Sequence, residues 1–128
     1  VTGEKAHGTE GERIVERLLR YERWDIVERQ PLVHGHKVDL LVSRPDHGEV
    51  LVEVKVWADP KVVGTDNVKK AIGDAYDLRV AGEDRPYVLV LSHELTGLLG
   101  EMLERAVKFG AITEVRVLAL ESVIGGLA

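Results

Sequence analysis

One nine-residue stretch constrains this chain more than any other. It is Glu49-Val50-Leu51-Val52-Glu53-Val54-Lys55-Val56-Trp57. A strand alternates its side chains with period two. Val50, Val52, Val54 and Val56 therefore share one face, which has to be core. Leu51, Glu53, Lys55 and Trp57 share the other, so a carboxylate and an ammonium stand as neighbours on a strand whose back is all valine.

The preceding apolar stretch carries a second acid. Asp39 stands alone among Val38, Leu40, Leu41 and Val42, and Asp is disfavoured in strands. Arg44–Gly48 carries the turn residues Pro45, Asp46 and Gly48, so Lys37–Ser43 and Glu49–Trp57 are expected to form a hairpin that brings Asp39 beside Glu53. Such a set suits metal-assisted hydrolysis. One or two carboxylates with water and phosphate oxygens satisfy a hard divalent cation, and the ammonium can orient a water or offset charge developing on phosphorus oxygens.

The remaining elements follow from periodicity and breakers. Val1–Gly8 is polar and Gly-rich and is expected to be a flexible lead-in, with one domain over residues 9–128. Thr9 and Glu12 have capping-box spacing and predict a helix start at Thr9, followed by Ile14, Val15, Leu18 and Leu19 at helical spacing. Trp24–Val33 reads as a first strand limited by Pro31, and His34-Gly35-His36 as a turn. Asp66–Val80 reads as a second helix after a polar loop containing Pro60 and Gly64. Tyr87–Ser92 reads as a strand buried on both faces, Leu95–Phe109 as a helix capped by Gly110, and Val115–Leu120 as a last strand. The expected order is α-β-β-β-α-β-α-β, with a mixed sheet covered on both faces.

Composition narrows the classes. The chain has 128 residues with 45% apolar, so one domain with a real core is expected rather than disorder. It has no Cys, which excludes thiolate zinc sites and cysteine nucleophiles. No apolar run reaches the length of a membrane span, so no membrane partner is expected. Lys and Arg number 17 against 22 Asp and Glu, a formal charge of −5. That balance argues against a broad nucleic-acid-coating surface. Position 1 is Val rather than Met, which gives the expectation of either a piece of a longer polypeptide or a processed chain.

Gly8-x-x-x-Glu12 on a helix, Val38-Asp39, and Glu53-x-Lys55 on the next strand together resemble the PD-(D/E)xK nucleases, in particular the group of Holliday-junction resolvases and Mrr-like restriction enzymes. The resemblance covers Gly8–Trp57 by motif and the rest by element order. It implies a restriction-endonuclease-like three-layer α/β fold and Mg²⁺- or Mn²⁺-dependent hydrolysis of DNA. It also implies a catalytic set of Glu12, Asp39, Glu53 and Lys55. Asp39 and Glu53 would bind the metal with support from Glu12, and Lys55 would position the attacking water. Within this reading a junction resolvase would need a two-fold dimer to cut two strands symmetrically, whereas a nicking or restriction module need not pair, and a cytoplasmic setting in a prokaryotic or viral cell interior is expected. The sequence departs from the family in having Val-Asp where many members have Pro-Asp. The helix after Glu-x-Lys offers Asn67, Lys69, Lys70 and Tyr76 but no Gln.

Plainer readings stand beside these. A capping box alone accounts for Glu12, and Glu53 with Lys55 suits a half-solvated sheet face. His34 and His36 are DNA-contact candidates or simply turn residues. Lys61, Lys69, Lys70 and Arg79 form either a basic strip along a DNA path or an ordinary solvated helix face. Ser92-His93-Glu94 has hydrolase composition, but neighbours on a strand end are expected to point apart. The alternative to an enzyme is a catalytically inactive nuclease-fold domain that binds DNA or protein within a larger assembly.

Overall fold

The computed structural model describes residues 3–55 and 65–118. Helix α1 spans Gly3–Tyr21 and is followed by strand β1 over Asp25–Arg29. A short ribbon comes next, β2 over Leu32–Val33 and β3 over His36–Lys37. Strands β4 (Leu40–Arg44) and β5 (Gly48–Lys55) precede helix α2 (Thr65–Val80). Strand β6 (Tyr87–Leu91), helix α3 (Gly97–Phe109) and strand β7 (Glu114–Val117) complete the described chain.

Five strands form one sheet in the order β1-β4-β5-β6-β7. The pairs β1/β4 and β4/β5 are antiparallel, and β5/β6 and β6/β7 are parallel. Each parallel step needs a crossover, which α2 and α3 supply. Crossovers of one hand, stepping in one direction along a sheet, put both helices on the same face. The core divides accordingly. Leu51, Tyr87, Leu89 and Leu91 pack with Val68, Ala71, Ile72, Ala75 and Leu78 of α2 and with Leu103 and Ala106 of α3. On the opposite face Val50, Val52, Val54 and Val90 pack with Val15, Leu18 and Leu19 of α1. The result is a three-layer α/β/α arrangement with a mixed sheet, and apart from the ribbon its order is α-β-β-β-α-β-α-β.

This layering corrects the half-solvated view of β5. Both of its faces are covered, so Leu51 is fully buried and Glu53 is only 8% exposed. Strand β6, with only Val88 part-exposed, is the two-faced buried strand that its uninterrupted apolar run predicts.

Three local boundaries differ from expectation. Helix α1 begins at Gly3 rather than Thr9. Thr9 is therefore inside a helix and cannot be its N-cap, and residues 3–8 extend that helix rather than lead into it. Glu4, Lys5 and Ala6 are all good helix formers. The expected first strand breaks at Gln30, whose φ of 55° is left-handed, directly before Pro31. The expected second strand breaks at Asp39, a bend between β3 and β4. Between these breaks the chain makes a two-residue hairpin, with His34 at φ 48° and Gly35 at φ 85°. Positive φ at both central residues is the signature of a type I′ turn. Helix α3 starts two residues later than expected, after Thr96, and ends as expected at Gly110 with φ 94°. Val56, Trp57, the Pro60–Gly64 loop, Lys61 and the last residues of the final expected strand lie outside the described residues.

Candidate active site

Asp39 occupies the bend where the ribbon re-enters the sheet. The ladder between β4 and β5 stops at Leu40 opposite Val52. One step further on, side chains replace the backbone pairing. The Val54 N–H donates to Asp39 Oδ2 at 2.7 Å, and the Asp39 N–H donates to Glu53 Oε1 at 3.1 Å. Asp in a strand is unfavourable because its carboxylate competes for backbone donors. Here that competition ends the strand and fixes the carboxylate against β5. Lys55 Nζ lies 3.5 Å from Glu53 Oε2, so Glu53 bridges the backbone of Asp39 and the Lys55 ammonium.

Glu12 approaches from α1. Gln30 Nε2 donates to its Oε1 at 3.5 Å, and its carboxyl is close enough to Asp39 to feel that residue's charge. Its neighbour Glu16 is held by Arg29 through two bonds of 3.0 and 2.8 Å. All four residues expected from the sequence are thus brought together at one end of β5.

The electrostatics are those of crowded carboxylates with one cation. Burial, then the charge of Asp39, pushes Glu53 up to about 8, against the opposing pull of Lys55 and of the Asp39 N–H. Burial, then the charge of Asp39, then the charge of Glu16, raises Glu12 to about 7, and Lys55 again opposes. Tyr87, beneath the site on β6, has its hydroxyl pushed far above the usual phenol range by burial, then by Glu53, Asp74 and Asp39. Its one sequence signal is a phenol heading an otherwise aliphatic strand.

Among the described residues no group of three acids or histidines forms a ready-made metal cage. One oxygen of Asp39 and one of Glu53 are turned to backbone N–H groups.

The other expected contacts lie elsewhere. His34 Nε2 is 3.4 Å from buried Glu83, and His36 sits between Asp74 and Asp77 of α2. Carboxylates offset any positive charge on either ring. Lys70 pairs with Asp74 at 3.1 Å, and Lys69 is exposed on α2. Ser92 and His93 do not point apart, because the strand has already ended at Leu91; Ser92 Oγ is 2.7 Å from His93 Nδ1.

No sequence pattern points to the network around Glu83 and Arg85. Arg85 donates to Glu83 from Nε at 2.9 Å, from Nη2 at 3.0 Å and from its own backbone N–H at 3.0 Å, and these bonds pull Glu83 down to about 2. Arg79 donates to the carbonyls of Glu83 (2.7 Å), Arg85 (2.8 Å) and Ala111 (3.2 Å). Arg79 is therefore a brace for three loop carbonyls rather than part of a basic strip. Arg79→Ala should cost about 2 kcal/mol, since it strips donors from part-buried acceptors. A urea midpoint lowered at unchanged m would show this, and an unchanged midpoint would refute it.

A comparison with solved structures finds the crystal structure of a repair endonuclease from Pyrococcus abyssi, with a TM-score of 0.51 and 18% sequence identity. The match covers 83% of this chain and 45% of that one, so the chain spans less than half of the neighbour's length. At that identity the likeness speaks to the fold, and the five-stranded mixed sheet between helices is consistent with a restriction-endonuclease-like fold. No family model matches the sequence, and no curated protein matches it. Among the described residues no helix is long and apolar enough to cross a membrane.

Proposed function

We propose that this domain is a metal-dependent endonuclease of the PD-(D/E)xK type that hydrolyses phosphodiester bonds in DNA. The observation that carries this reading is the meeting of Asp39, Glu53 and Lys55 where the β4/β5 ladder gives way to side chains. The repair activity named for the structural neighbour supports the same class.

The donor set fits a hard divalent cation. Asp39 and Glu53 each commit one oxygen to backbone, the second oxygen of Glu53 faces the Lys55 ammonium, and Mg²⁺ asks for only one or two carboxylates besides water and phosphate oxygens. The crowding that raises Glu12 and Glu53 is the excess negative charge that a cation relieves. Bound Mg²⁺ or Mn²⁺ would supply Lewis acidity toward the scissile phosphate. The chain's own residues do the remaining work. Asp39 and Glu53 hold the cation, with Glu12 in support. Lys55 donates to the attacking water or to the phosphate oxygens on which charge develops. The strand pair keeps these groups in register while the bond breaks.

The formal charge of −5 makes DNA binding by this domain weak and salt-sensitive, resting on local contacts to which Lys69, Lys70 and Lys61 are the candidates. One observation favours a second reading, a nuclease fold without the chemistry. The reciprocal bonds of Asp39 and Glu53 to backbone give both acids a structural role that needs no metal.

A cleavage panel separates the two. Wild type and Glu53→Ala are incubated with Mg²⁺ and junction, flap, duplex and single-stranded DNA. The enzyme reading expects cleavage of at least one substrate by wild type and none by the variant. Cleavage by neither, or equally by both, would sink it.

A further inference from the structure

The β2–β3 ribbon does more than connect strands, because it is clamped at both ends. At its base Gln30 N–H donates to the Asp39 carbonyl at 2.8 Å, and Val38 N–H donates to the Pro31 carbonyl at 3.0 Å. Val33 and Val38 are buried against the α2 side of the core. At its outer part the His36 ring lies between two carboxylates of α2. Nδ1 is 3.2 Å from Asp74 Oδ1, and Nε2 is 2.6 Å from Asp77 Oδ2. A neutral imidazole has one N–H and can donate to only one of them. The contact of Nε2 with Asp77 is the hydrogen bond of the two, and Asp74 lies against the other ring nitrogen. Asp74 also takes Lys70, and the neighbouring His34 faces Glu83, which Arg85 occupies.

We infer that His36 is a positioning residue for Asp39, fixing the ribbon to α2 so that the bend at its base presents the Asp39 carboxylate to β5. This deepens the proposed function and rests on reading Asp39 as part of the active site. The covalent path is short, since only Lys37 and Val38 separate the two residues. Val38 is anchored in core, so a shift of the ribbon is transmitted to the bend instead of being absorbed by loose chain. A carboxylate displaced by about an ångström can cost up to about 100-fold in rate.

The Val54 amide is a direct reporter, because its N–H donates to the Asp39 side chain. Hydrogen exchange at Val54 is measured in wild type, His36→Ala, His36→Arg and Asp77→Asn, together with kcat and KM for whichever DNA the wild type cleaves. His36→Ala and Asp77→Asn should each lower Val54 protection and kcat by about tenfold at unchanged KM. His36→Arg should recover most of both, since a guanidinium can donate to two carboxylates at once. Val54 protection within about twofold of wild type in Asp77→Asn, a conservative change at an exposed side chain, overturns the inference even if His36→Ala fails to fold. A raised KM at unchanged kcat and unchanged Val54 protection also overturns it, and marks His36 as a phosphate contact. If wild type cleaves nothing, the nuclease reading fails, while the Val54 result still decides whether His36 positions Asp39.

Discussion

Asp39→Asn should abolish metal-dependent cleavage, lowering it by about 10²–10³-fold or more, and leave the fold intact. The substitution separates two roles that the structure combines. An amide oxygen still accepts the Val54 N–H that Asp39 Oδ2 accepts at 2.7 Å, so the strand end should stay in place. The negative charge that would hold a cation is gone, so a saturable Mn²⁺ site measured by calorimetry should vanish with it. Lys55→Met supplies the contrast. Its ammonium lies 3.5 Å from Glu53 Oε2, and a cation cannot ligate a metal. Cleavage should fall by a similar factor while Mn²⁺ binding survives, and tightens if anything, because a competing cation has left. Parallel loss of both properties in the two variants would mean that Lys55 acts by organising Glu53 rather than on the reacting groups. Full activity in Asp39→Asn would place the chemistry elsewhere.

How much of this was legible in the sequence follows from the range of the signals. Alternation in β5 is local and short-period, so it identified Glu53 and Lys55 as neighbours and gave the hairpin that carries Asp39. The uninterrupted apolar run of β6 and the Gly110 cap were equally local. The capping-box spacing of Thr9 and Glu12 does not mark a helix start, since the helix runs on to Gly3. The place of Glu12 on α1 follows from its spacing from the buried Val15 and Leu19, which puts it at the edge of the buried stripe. The strand breaks were less visible. Pro31 marked a limit, but the left-handed turn at Gln30 just before it carries no residue that demands positive φ. Asp39 is anomalous inside a strand, and the structure resolves the anomaly by ending the strand there. The clamp on the ribbon was beyond reach, because His36 and Asp77 stand 41 residues apart and neither lies in a pattern that points to the other. Burial of Glu53 on a covered face was missed for a similar reason, since the alternation itself does not say that α2 and α3 both cross on that side.

The burial of Glu53 sets the second large expectation, a loss of stability as pH rises. Its carboxyl is raised from an ordinary 4.5 to about 8 by burial and by Asp39. The folded state therefore binds a proton that the unfolded chain has already released. That stabilisation is fully present below about 4.5 and is lost as pH climbs through about 8. For a group this deeply buried the loss is on the order of 3 kcal/mol. Glu12, raised to about 7, acts in the same direction but more weakly, because solvent screens a half-exposed group. Urea unfolding at pH 5 and pH 8.5 should show wild type losing stability across the window. Glu53→Gln should lose markedly less, its amide having no charge to develop, and an equal loss in both proteins would remove Glu53 as the cause. Mn²⁺ bears on the same window from the other side. A cation that binds only the folded, ionised cluster stabilises it by mass action, so Mn²⁺ should restore much of the loss at pH 8.5 and little at pH 5, where protons occupy the cluster instead. Protection by Mn²⁺ that is equal at both pH values, or that persists in Asp39→Asn, would show that the metal binds somewhere other than between Asp39 and Glu53.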